Sequence, residues 1–89
     1  MNTFGYIEVI GLVTAVQAAD AALKAANIEI VGKENTGAGM IAVIVKGEIG
    51  QVRTAIDAAE EAANMIGKVV NVNVISKQDL EIENLITKN

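Results

Sequence analysis

Apolar and polar positions change rhythm along this chain in a fixed order. From Phe4 to Ile10 they alternate, with Ile7 and Val9 on one side and Tyr6, Glu8 and Ile10 on the other, which predicts a strand that Gly11 ends. From Leu12 to Ala26 the polar residues Thr14, Gln17, Asp20 and Lys24 recur at helical spacing and share one stripe; the rest of that helix is apolar, mostly alanine, and Asn27 closes it. Ile28 to Asn35 alternates loosely as a second strand. Thr36-Gly37-Ala38-Gly39 is a turn of small residues, and Met40 to Val45 is an unbroken apolar run suited to a strand buried on both faces. After Gly47 the helical period returns from Glu48 to Asn64. Its polar stripe is Arg53, Thr54, Asp57, Glu60, Glu61 and Asn64, and Gly67 is placed to stop it. Val69 to Ile75 sets Val70, Val72 and Val74 opposite Asn71 and Asn73. Beyond Ser76, Asp79 as a cap with Leu80, Ile82, Leu85 and Ile86 predicts a short amphipathic C-terminal helix.

The predicted order is β-α-β-β-α-β, an α/β domain of the α+β kind. It implies a ferredoxin-like antiparallel sheet with two main helices on one face and the short helix after it. The segments Asp20 to Asn27 and Asp57 to Asn64 share the pattern D-A-A-x-x-A-A-N, so the two βα halves read as rough copies of each other. All 89 residues make one domain, 1–89, with a core over 4–75 and a tail over 76–89. The first helix has two readings. Its alanine flanks leave more apolar surface than one sheet face needs to be covered, which points to assembly. Alanine is also the best helix former and is tolerated on surfaces.

Composition narrows the chemistry. A chain this short often needs a disulfide, a metal or a partner for stability. It has no cysteine and no histidine, which removes disulfides and the usual zinc ligands and leaves oligomerisation. The same absence removes the commonest general base and the thiol nucleophile, so the expectation is a protein that is not an enzyme and carries no cofactor or metal. Glu60 and Glu61 are neighbours on a polar helix face and point in different directions, as a solvated face does. The Gly37-Ala38-Gly39 turn is neither a Walker loop nor a dinucleotide fingerprint, because a strand follows it. A net charge of -4 and only two aromatics, Phe4 and Tyr6, argue against nucleic acid. No apolar run approaches a membrane span, and no basic, apolar leader opens the chain, so the location expected by default is cytoplasmic.

Several separated motifs then fall in register. Gly5-Tyr6-Ile7-Glu8-Val9, Gly11-Leu12, Ala18-Ala19-Asp20-Ala21 and Lys24-Ala25-Ala26-Asn27 resemble the opening of the single-domain, hexamer-forming shell proteins of bacterial microcompartments, the BMC domain family. Val31-Gly32, Thr36-Gly37-Ala38-Gly39, Val43 to Glu48, and Val52 with Ala55 to Ala58 continue the resemblance, which covers nearly all of 4–75.

The resemblance implies a structural shell protein that forms flat homohexamers, packs laterally into facets with itself and other shell proteins, and encloses metabolic enzymes. It implies that Thr36, Gly37, Ala38 and Gly39 line a central pore for small metabolites. Lys24, Asn27 and Lys77 would lie at the edge between hexamers. Without the resemblance, Lys24 reads as a solvated lysine. Two departures stand out. Ala38 replaces the serine that relatives often carry, and Ser76-Lys77-Gln78-Asp79 stands where many have a Pro-Arg-Pro-His-like stretch, so Lys77 keeps a charge without arginine's planar fork. The other class open to this order of elements is a ferredoxin-like small-ligand-binding regulatory module. Nitrogen-signalling members of that class need a long loop between the middle strands, where only Thr36 to Gly39 stands here.

Overall fold

A computed structural model describes residues 3–75. The expected C-terminal helix and Lys77 lie outside the described residues. The elements are β1 (Thr3–Ile10), α1 (Leu12–Ala25), β2 (Glu29–Gly37), β3 (Met40–Gly47), α2 (Ile49–Ile66) and β4 (Val69–Ile75). The four strands form one antiparallel sheet in the order β2-β3-β1-β4, so the predicted βαββαβ order is the observed one.

β1 sits inside the sheet because its alternation works on both sides. Thr3, Gly5, Ile7 and Val9 are buried, while Phe4, Tyr6 and Glu8 are half-buried and Ile10 is exposed. Ile7 pairs with Val43 and Val72, and Gly5 with Val45 and Val74, so one face of three strands presents a continuous branched aliphatic surface. Both helices cover that face, completing a core of Ile7, Val9, Val43 and Val45 with Val52, Ile56 and the helix alanines. Gly5 is a point of close approach between β1 and α2. A Cβ there would stand 2.7 Å from side-chain carbons of Ile56 and Val52 and 2.9 Å from one of Val45.

α1 and α2 also pack on each other. Ala15, Ala18 and Ala22 of α1 and Ala55, Ala59 and Ala63 of α2 are buried, and their small side chains let the two backbones lie close over a narrow sheet. Thr14 departs from expectation: it is 6% exposed, and a Cβ on Gly67 would strike its hydroxyl, so it faces α2's end and leaves the polar stripe to Gln17, Asp20 and Lys24. The alanines likewise turn mostly inward. The surplus apolar surface of α1 consists instead of Leu12, Val13, Val16 and Leu23, each about half exposed or more.

β3 is not covered on both faces. Val43 and Val45 are buried beneath the helices, whereas Met40 and Ile44 on the other side are only half-buried. The unbroken apolar run therefore reflects one helix-covered face and one face that the domain itself leaves open. Both outer strands carry an irregularity. The register slips around Val31 in β2 and around Val70 in β4, and both valines are exposed. The result is a slab with Cα extents of 34 × 28 × 15 Å.

Candidate functional site

The turn between β2 and β3 is tighter than the sequence suggests. β2 runs on through Thr36 and Gly37, Gly37 pairs with Met40, and only Ala38 and Gly39 form the loop. Gly37, Ala38 and Gly39 all have positive φ, at 101°, 54° and 80°. A two-residue hairpin loop with both φ values positive has the hand that matches strand twist, and glycine meets that demand without a Cβ penalty. Ala38 is the one non-glycine residue with positive φ among the described residues. Its methyl group is exposed, as are Thr36, Gly37 and Gly39.

Four contacts fix the turn and where it lies. The Gly11 N–H donates to the Gly39 carbonyl at 2.9 Å, tying the loop to the junction of β1 and α1. The Gly37 N–H reaches the Asn35 side-chain oxygen at 3.4 Å. The Thr36 hydroxyl lies within hydrogen-bond reach of the Glu8 carboxylate and of the Met40 carbonyl, the latter at 3.2 Å. Glu8 also accepts from Tyr6. Desolvation first, then the Glu8 charge, that hydrogen bond and the Glu34 charge hold the Tyr6 phenol above its ordinary pKa of 10.0. A raised folded-state value means that the neutral phenol's contribution to stability is fully present below about pH 10 and is lost as pH rises through the folded value. Urea midpoints measured upward from pH 9 should therefore fall more steeply for the native chain than for Tyr6→Phe.

Lys24 and Asn27 lie at the opposite end of α1. A helix of 14 residues rises roughly 20 Å, and the turn contacts its start through Gly11 while Lys24 occupies its last turn. The Lys24 ammonium is 3.0 Å from Asp20 one turn earlier, but its side chain is 77% exposed. An exposed pair of this kind is weak, so the ammonium stays available to another partner. The Asn27 N–H donates to the Gln51 side-chain oxygen at 2.7 Å, which anchors the end of α1 to the start of α2 and leaves the Asn27 residue exposed. The expected pore residues and the described edge residues Lys24 and Asn27 thus form two separate groups. Sequence reasoning missed Glu8, Tyr6 and Gly11 as neighbours of the turn, because only the pairing of β1 with β3 brings them there.

A further groove of about 400 Å³ lies between α2 and β4, lined by Arg53, Asp57, Glu60 and Asn73 over Ile56, Val72 and Val74. Among the described residues no helix is long and apolar enough to cross a membrane.

Residues 3–78 match the BMC domain family. The bacterial microcompartment shell protein PduA of Citrobacter freundii is 42% identical over 87 residues, a stretch that covers 98% of this chain and 94% of that protein. A major carboxysome shell protein of Halothiobacillus neapolitanus is 40% identical over 85 residues, covering 94% and 87%. The bacterial microcompartment shell protein EutM of Escherichia coli K12 is 37% identical over 83 residues, covering 93% and 86%. A crystal structure of a microcompartment protein from Desulfitobacterium hafniense superposes with a TM-score of 0.78 at 25% identity over 85% of this chain; the chain spans 41% of that longer one. Fold, motif register and full-length similarity to shell proteins converge, and this chain is a member of the BMC domain family.

Proposed function

We propose that this chain is a structural tile of a bacterial microcompartment shell: six copies close into a ring around the β2-β3 turn, and rings join edge to edge through the far end of α1. The observation that carries this reading is the full-length similarity to shell proteins. The structure supports it physically. The turn and Lys24 sit at opposite ends of α1 in a slab 15 Å thick, as an inner corner and an outer rim of a flat wedge would. Leu12, Val16 and Leu23 leave an apolar flank on α1 that a lone copy exposes, and burying it between copies is favourable by roughly 25 cal/mol per Å².

In this ring Thr36, Gly37, Ala38 and Gly39 line a passage for small metabolites. Ala38 offers a methyl group, so the passage is lined by backbone groups and by Thr36. Lys24, Asn27 and Lys77 form the edge set, with the single domain spanning 1–89. Partners are further copies, other shell proteins and the enzymes that the shell encloses; the chain itself performs no catalysis. A charge of -4 per copy is multiplied around the ring, so lateral assembly depends on salt.

Native mass in solution tests the ring, which should weigh six times the 9.3 kDa of one chain. A monomer at micromolar concentration and physiological salt would overturn it. Lys24→Ala should keep that mass while abolishing the extended sheets or tubes seen by electron microscopy. Unchanged sheets would remove Lys24 from the edge.

A further inference from the structure

Glu8 and Thr36 belong to strands that are not neighbours. β3 lies between β1 and β2, so their backbones are roughly 9–10 Å apart. Their side chains nonetheless meet, and the reason is the residue beneath them. Ala42 of β3 is paired with Glu8 on one side and Glu34 on the other, on the sheet face without helices, yet it is 0% exposed. Its methyl group is short enough for the longer side chains to close over it. The register slip between Asn35 and Gly37 leaves Thr36 as the extra residue, placing its hydroxyl at the Met40 carbonyl and the Glu8 carboxylate together.

We propose that Glu8 is a positioning residue for the turn: its carboxylate, reaching over Ala42, holds the Thr36 hydroxyl and so sets the angle at which Gly37, Ala38 and Gly39 face the ring axis. The functional consequence rests on the ring reading given above. The turn is then braced from two sides, by Glu8 through Thr36 and by the Gly11 N–H on the Gly39 carbonyl. A hydroxyl has one proton to give, and both acceptors near Thr36 belong to the protein. Toward a passing solute Thr36 therefore acts only as an acceptor, and the donors in the passage are the backbone N–H groups of Ala38 and Gly39, since that of Gly37 turns to the Asn35 side chain. A passage so built selects by width and favours small solutes that can accept hydrogen bonds from its backbone and donate one to Thr36.

The Gly11 amide reports on the brace, because it is protected only while the Gly39 carbonyl stays in place. Hydrogen exchange is measured on the full chain for Thr36→Val, Thr36→Ser, Glu8→Ala and the double variant Glu8→Ala/Thr36→Val, with the Gly67 amide, bonded to the Ala63 carbonyl, as internal control. Thr36→Val and Glu8→Ala should each speed exchange at Gly11 by roughly ten-fold relative to Gly67, the double variant should add little to either, and Thr36→Ser should restore the native rate. Unchanged exchange at Gly11, effects that multiply in the double variant, or failure of serine to rescue would each overturn the proposal. Native mass is recorded on the unmodified chain in the same series. A monomer there would overturn the ring, while the Gly11 comparison would still decide whether Glu8 braces the turn.

Discussion

Gly5→Ala should destabilise this protein by about 2–3 kcal/mol, lowering the thermal midpoint by roughly 10–20 °C. The new methyl carbon would stand 2.7 Å from Ile56 Cγ1 and Val52 Cγ1 and 2.9 Å from Val45 Cγ2. All three are carbons one bond from a branch point in buried residues, so none can swing away as the tip of a long side chain would. Relief requires α2 to lift from the sheet, and that lift would also loosen the alanine packing between the helices. Gly32→Ala is the matched control, since a Cβ there meets nothing within 4 Å. It should change stability by less than about 0.5 kcal/mol. Denaturant titrations at one fixed protein concentration separate the two. Pairing Gly5→Ala with Ile56→Ala should give less than the sum of the single effects, because the second change removes the clashing Cγ1 of Ile56 without touching the contact with Val45. Equal stability of Gly5→Ala and the native chain would mean that the helices do not sit where the structure puts them.

Val16→Lys should convert a ring into single chains. Val16 is 49% exposed in the isolated domain, so a lysine there loses little within one copy, where its stem can lie along the helix and its ammonium can reach water. Between copies the same ammonium would be buried without a partner, at a cost of several kcal/mol repeated at every seam. The expected result is a native mass near 9.3 kDa with an unchanged far-ultraviolet circular dichroism spectrum. A ring that survives the substitution would place the seam elsewhere and leave the exposed flank of α1 unexplained. Gln17→Lys is the control, since Gln17 lies among the polar residues of that helix, and it should leave the mass unaltered.

The order of elements was legible because β1 and the two helices obey clear periods and glycines punctuate the chain between segments. The alternation of β1 forecast its two faces, and the D-A-A-x-x-A-A-N echo falls at the end of α1 and within α2, two helices that both pack on the sheet. The errors share a cause. The polarity of Thr14 and its spacing from Gln17 place it on the polar stripe, but Gly67 at the end of α2 closes against it, and a sequence period does not record which neighbour covers a stripe. β3 was expected to be covered twice because six apolar residues in a row carry no internal contrast between faces. At the turn, the small residues and their glycines announced the bend. The brace from Glu8 did not announce itself, since 28 positions separate it from Thr36 and only β1-β3 pairing over a small Ala42 brings them together. Lys24 is the reverse case: its four-residue spacing from Asp20 was visible, while the edge role proposed for it rests on likeness to shell proteins. That likeness also decides between the shell and regulatory-module readings.

The kinked outer margins bear on how such a slab multiplies. An intact peripheral strand offers unpaired amides and carbonyls in even steps, an invitation to polymerise rung by rung into fibrils. Here Val31 and Val70 interrupt that spacing on the two flanks. Growth by continuing the hydrogen-bond ladder is thereby discouraged, and contact between copies falls to shape and side chains. Side-chain joints fix an angle, and an angle that repeats can close on itself, which is the difference between a finite polygon and an endless ribbon.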